Sequence, residues 1–494
     1  MRKFRIPALM LAVMMAVAAF AGCSKTPATT PATTPTTTPA TTPATTPAAT
    51  DENTYYGLPI VDMDGYEFIA YAYDSNFVTT GNGDTLDDAK MNVLMDIQEK
   101  YNCVFTFTET GTVFNDAAFP VLLAGDKYAD IIAPASFSAG YWYQNNNVVD
   151  LKEVDYLDFT QPWWYADITA GTEWNGKLMG MKGAFNNCYT DNWVCLFNKK
   201  LAEELQLPDL YEIAREGKWT LQLFNEYGKK ATRDLNGDNL MDDRDCYAWG
   251  GPQIESMTAF WRGAGGTYYE KRDDGFWYSN IAGERNRQLM ELMVDTFVTN
   301  QLTYDRSGGE GWNYYLQEMF PSDQQLFCAY PIYGFTKNLW GWHEMESDYG
   351  VLPMPKFTED QPYYGVIDHF TSMMMIPINT NNEDNIGLIV EALTRGYYNE
   401  VLPVVYDFIE ISTRDEESIE MIKMTHQIFV NDPVSDTLAY ATEGVLGFLA
   451  EGLLDRVLLQ GVDFSVAYEE AYETTMLALD EFQGKIDPVP KTAE

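Results

Sequence analysis

The chain has 494 residues, too many for one compact core and enough for two or three lobes. Hydrophobic residues make up 46% and aromatics 14%, which excludes a largely disordered protein. A net charge of −41 sets the surface against nucleic acid and anionic lipid headgroups.

Residues 1–22 carry Arg2, Lys3 and Arg5, then an apolar run from Ile6 to Phe20. That run is shorter than the roughly 20 residues that span a bilayer, so it reads as a secretory signal. Cys23 stands directly after it, behind Phe20-Ala21-Gly22. Ser24 to Thr50 is nearly all Thr, Pro and Ala and cannot bury enough apolar surface to fold. At about 3.1 Å per residue such a linker extends on the order of 80 Å. The linker is taken to run over 23–54, with the folded part starting near Tyr55. Beyond Cys23, the cysteines Cys103, Cys188, Cys195, Cys246 and Cys328 match no metal motif. They read as small buried residues, with room for at most one or two disulfides.

Tyr66 to Ala72 reads as a strand. Asp84 to Tyr101 places Leu86, Ala89, Val93, Leu94 and Ile97 at helical spacing. Cys103 to Thr108 alternates as a strand, Ala117 to Ala124 is helical, and Asp130 to Ile132 is a short buried strand. The rhythm then recurs. Trp193 to Phe197 is a strand, Lys199 to Leu205 a helix, and Leu221 to Ala231 a helix with Thr220 as its N-cap. Arg285 to Thr299 is a helix; Gln325 to Tyr330 and Met373 to Pro377 are strands. Thr413 and Glu416 have capping-box spacing ahead of a helix through Ile428. Alternating strands and helices predict an α/β fold with largely parallel sheets.

The sharpest local pattern is Asp234, Asn236, Asp238, Leu240, Asp242 and Asp245. It places side-chain oxygens at loop positions 1, 3, 5, 9 and 12, with a carbonyl from Leu240 at 7. Hard cations take six or more oxygens, so the spacing predicts a structural Ca²⁺ site. Asn239 replaces the usual Gly, and Asp245 the usual Glu. The alternative is an acidic surface turn without metal.

Several short passages resemble the extracellular solute-binding proteins of family 1, the receptor lipoproteins of ABC importers. They are Tyr128-Ala129-Asp130-Ile131-Ile132, Val148-Val149-Asp150-Leu151, Trp174 to Gly180, and Leu196 to Leu201. Gly217-Lys218-Trp219-Thr220, Tyr349 to Lys356, and Arg414 to Ser418 follow in the family order. The residues up to Cys23 likewise resemble the bacterial lipobox. The resemblance implies two α/β lobes of the type II periplasmic-binding-protein class, joined by a hinge, with ligand between them. By similarity, lobe one takes 55–187 and 325–367, and lobe two takes 188–324 and 368–494. It also implies lipidation of Cys23, anchoring on the extracytoplasmic face of a bacterial membrane, and a monomer docking on ABC permease subunits.

Ligands of such α/β folds sit at strand carboxyl ends. That places Tyr73, Asp74, Trp142, Tyr143, Asn187, Trp193, Trp261, Tyr333, Asp368 and His369 as candidate cleft residues. Rings stack on the apolar faces of sugars and amides or carboxylates take their hydroxyls, so a carbohydrate is the expected ligand. Each aromatic has a core reading beside the ligand reading. Only three His (His343, His369, His426) are present, which supplies zinc or triad chemistry poorly, and Gly263 to Gly266 lacks the Lys-Ser/Thr of a phosphate loop. The expectation is therefore a non-enzymatic receptor. The alternatives are a glycan-binding or sensor-partner protein without transport, and a surface glycoside hydrolase.

Overall fold

The computed structural model describes residues 54–73, 85–110, 115–186, 192–250, 254–273, 275–300, 302–303, 311–336, 338–362, 364–365, 372–426 and 451–486. The proposed signal, Cys23 and the linker up to residue 53 lie outside them. A short hairpin, β1 (Thr54–Tyr55) with β2 (Leu58–Pro59), opens the described chain.

The first sheet has the order β4-β3-β5 and is wholly parallel: β3 is Tyr66–Ala72, β4 Cys103–Glu109 and β5 Ile131–Ala133. Parallel neighbours need crossovers, and the helices Thr85–Tyr101 and Asn115–Leu123 supply them. Phe68, Ala70 and Ala72 point into the core, and Phe105 meets Phe68 edge-on at 5.7 Å. Asp130 is fully buried, yet its carboxylate accepts from the Tyr66 hydroxyl, from the Ile69 N–H at 2.8 Å, and pairs with Lys127 at 2.7 Å. A small hairpin, β6 (Glu173–Trp174) with β7 (Lys177–Leu178), is tied to Asp150, which accepts from the Leu178 N–H at 3.0 Å.

The second sheet has the order β13-β8-β12-β9, where β8 is Trp193–Asn198, β9 Tyr247–Gly250, β12 Gln325–Pro331 and β13 Tyr349–Leu352. Every residue of these four strands is buried, so the sheet is covered on both faces. Trp193, Cys195 and Phe197 feed one core; Val194 and Leu196 feed the other. A hairpin of β10 (Tyr269–Lys271) and β11 (Trp277–Ser279) lies between β9 and β12 in sequence.

The strand pairing departs from the lobe boundaries expected above. Gln325–Pro331, expected in lobe one, lies between β8 and β9, antiparallel to one and parallel to the other. Ser372 to Pro377, expected in lobe two, bridges instead to Ala135, Met181, Ile132 and Val148 of the first sheet's surroundings. Met373 to Pro377 forms isolated bridges rather than a strand, because it pairs with three separate partners.

One further expectation needs correction. Asp415, not Thr413, caps the helix Glu416–His426, accepting from the Ser418 N–H at 2.6 Å; the Thr413 hydroxyl donates back to Glu410 at 3.2 Å. The described cysteines, Cys103, Cys195, Cys246 and Cys328, are buried free thiols. Cys195 and Cys328 sit on adjacent strands but feed opposite faces of the sheet, so they cannot bridge. No described helix is long and apolar enough to cross a membrane.

The C-terminal helix Phe464–Lys485 joins both halves. Its last carbonyls have no intrahelical donors. Asn146 donates to the Lys485 carbonyl at 2.9 Å and Asn175 to that of Ile486 at 2.6 Å, both from the first half. Gln483 accepts from the Trp277 N–H at 2.6 Å in the second.

Candidate ligand-binding site

The chain enters the second sheet at Trp193, with only Asn192 between it and residues 187–191, which lie outside the described part. β8 runs antiparallel to β12, so Trp193 faces Pro331 at the carboxyl end of β12. Rings collect there. Tyr330 lies 6.0 Å from Trp193, 5.6 Å from Tyr333 and 5.5 Å edge-on from Trp340. Trp193 and Tyr330 are buried; Tyr333 and Trp340 are half-exposed. The arrangement is a wall with a buried backing and two accessible rings. Burial, helped by the hydrogen bond with Tyr333, pushes the Tyr330 phenol far up, so it stays a neutral donor at every physiological pH.

Three parallel strands of the first sheet end at Ala72, Glu109 and Ala133. Tyr73 prolongs the first, its N–H donating to the Ala133 carbonyl at 2.8 Å, and it is half-buried. Asn186, fully buried, ties Gly183 to Ser372. Its Oδ1 accepts from the Gly183 N–H at 2.9 Å, and its Nδ2 donates to the Ser372 carbonyl at 2.7 Å.

Three of the sequence candidates leave the site. Trp142 and Tyr143 are fully buried in the first half, Trp142 edge-on to Phe119 at 5.0 Å. A side chain at Gly180 would collide with the Tyr143 hydroxyl, so that glycine is needed for the ring to seat. Trp261 is fully buried and stacked on Tyr268 at 5.8 Å. Rings with no exposed face cannot stack on a solute. Asp74, Asn187, Asp368 and His369 lie outside the described residues. Of the candidates, Tyr73, Trp193 and Tyr333 remain at strand ends. Trp340 carries no local signal in the sequence; its clustering with Tyr330 depends on the β8–β12 register, which no local pattern encodes.

The glycine turn after Trp261 borders a recess of about 540 Å³, lined by Gly265, Thr267, Glu270, Glu284, Arg285 and Asp360 among others. Its polar groups largely serve one another. Arg285 donates to the carbonyls of Gly265 at 2.6 Å and Ala264 at 2.9 Å, and Asn286 donates to that of Thr267 at 2.9 Å.

The acidic loop folds on itself. Asp234 accepts from the Gly237 and Asn239 N–H groups at 2.6 and 2.7 Å, which holds its carboxyl below the usual range. Asp245 accepts from Leu235 and Asp242 at 2.9 and 2.8 Å. Asn239 adopts φ 64°, as the pattern requires at the position usually held by Gly. Arg244 pairs with both Asp238 and Asp242. Among the described residues no three His, Cys, Asp or Glu side chains are placed to hold a metal ion.

The passages that carried the resemblance turn out to be scaffold. The Trp219 N–H group of the indole donates to the Pro353 carbonyl at 3.0 Å, and Thr220 bridges to Lys356. Asp415 pairs with Lys199 and accepts from the Tyr211 hydroxyl at 2.9 Å, while Ser418 accepts from the Val351 N–H at 3.0 Å. Distant passages thus meet at one knot in the second half.

No family model and no curated protein sequence matches the chain. Solved structures do. The sugar-binding protein MalE from Xanthomonas citri superposes with TM-score 0.58 at 12% identity, over 84% of this chain and 98% of that one. The galacto-N-biose/lacto-N-biose I-binding protein of an ABC transporter from Bifidobacterium longum, in complex with lacto-N-biose, gives 0.57 at 11%, over 85% and 98%. The ABC substrate-binding protein Lmo0181 from Listeria monocytogenes, in complex with cycloalternan, gives 0.54 at 12%, over 84% and 100%. The chain is built on the two-lobed α/β fold of the substrate-binding proteins of ABC transporters.

Proposed function

We propose that this protein is an extracytoplasmic receptor that captures a carbohydrate between its lobes and delivers it to an ABC permease. The observation that carries this reading is the ring wall of Trp193, Tyr330, Tyr333 and Trp340 at the carboxyl end of β12. Half-exposed rings offer apolar area to a sugar face, and the crowded backing fixes their orientation at low entropic cost. Ligand contacts from both lobes select the closed state. Lipidation at Cys23 and the Thr/Pro/Ala linker keep the body near the membrane that holds the permease. Mass spectrometry of the mature N-terminus tests the lipid.

Calcium in the Asp234–Asp245 loop is proposed on spacing alone. Binding demands that Arg244 release Asp238 and Asp242. Calorimetric titration of lacto-N-biose, β-1,6-galactobiose and ribitol tests the receptor reading. Saturable heat with one of them supports it, and a flat response to all three, extended to a wider sugar panel, overturns it.

A further inference from the structure

We infer that Asn192 is the polar anchor of the solute site, taking adjacent hydroxyls of a polyhydroxylated ligand. The inference rests on the receptor reading above. Asn192 is the first described residue after the first crossing, beside Trp193 of the ring wall. Its main chain is used: its carbonyl accepts from the Ile332 N–H at 3.0 Å, which fastens it to the end of β12. Its side chain is fully buried, and among the described residues neither Nδ2 nor Oδ1 meets a hydrogen-bonding partner.

Buried amides are nearly always satisfied, because leaving donor and acceptor both unmet forfeits their hydration without return. The contrast with Asn186, on the other side of the same crossing, is direct: both ends of that amide are bonded to the chain. No described residue supplies the partner of Asn192, and a bound solute would. A primary amide presents one acceptor and two donors side by side. Vicinal hydroxyls match this pair, one giving its proton to Oδ1 and its neighbour accepting from Nδ2. Tyr330 and Tyr333 flank the Pro331-Ile332 pair that Asn192 fastens to, and with Trp340 they are left to stack on the apolar face of the same ligand. Asn192 is closed off from solvent in this conformation.

The test uses the full mature chain and Asn192→Leu, close in size and free of polar atoms, with Asn192→Ser as a second variant should the first misfold. In the ligand-free arm, the account predicts that Asn192→Leu melts no lower than wild type, since an unmet amide contributes nothing to the fold. A melting point several degrees lower would show the amide to be structural and overturn the inference. In the ligand arm, lacto-N-biose, β-1,6-galactobiose and ribitol are titrated. Any probe that binds wild type should lose at least about tenfold in affinity in the variant. Unchanged affinity would overturn the assignment. A wild type that binds none of the probes would overturn the carbohydrate reading, while the ligand-free arm still decides whether the amide serves the fold.

Discussion

Trp142 with Tyr143, and Trp193 with Tyr330, Tyr333 and Trp340, are two aromatic groups that end in different settings. The first is sealed in the core of the first half, behind Phe119 and Gly180. The second lies at a strand end, with Tyr333 and Trp340 half-exposed. Ring content says nothing about which is which. What separates them is register: Trp142 sits on a short helix, Ala139–Gln144, turned inward, whereas β8 and β12 deliver their rings to the carboxyl end of β12.

The largest effect should fall on the sealed group. Trp142→Ala should cost about 3–5 kcal/mol of stability in urea unfolding, with the affinity of the folded fraction for a bound sugar unchanged. A loss of affinity without loss of stability would erase the contrast. Tyr333→Ala should do the reverse. It should weaken sugar binding by about 1–2 kcal/mol, roughly tenfold, while moving the unfolding midpoint little.

A pH series sharpens the scaffold side. Burial works against the Asp415 carboxylate, but Lys199, the Ser418 N–H and Tyr211 outweigh it and hold its pKa below the ordinary 3.8. A depressed carboxylate stabilises the fold fully above its unfolded value and loses that contribution as pH falls through the folded one. Acid unfolding of Asp415→Asn should therefore lack this increment, and the variant's deficit should shrink below about pH 4. A deficit independent of pH would refute the charge pairing. The smallest effect concerns the acidic loop. Calcium should raise the melting point by a few degrees at most, and more in Arg244→Ala, in which Asp238 and Asp242 are released. No shift in either would leave the loop a self-bonded acidic turn.

Much of the architecture was legible in the sequence. Period-two strands, helical spacing and the Thr220 cap appear where expected, with the Thr220 hydroxyl accepting from Leu223 at 3.3 Å. The family passages were legible because they are fold determinants: Asp130, Asp150 and Asp415 each satisfy buried or turning backbone. For the same reason they say nothing about ligand. The placing of β12 between β8 and β9 was not legible, because that pairing is non-local. Asn192 was hidden by its neighbours, being one polar residue ahead of an unbroken apolar strand. Its missing partners show only once the strand is placed.

The most direct test of the central claim is a crystal structure of the protein with a bound sugar. The account predicts a pyranose ring lying against Tyr333 and Trp340, with hydroxyls at the Asn192 amide. A sugar seated instead in the recess between Gly265 and Asp360, with the Tyr333 ring untouched, would contradict it.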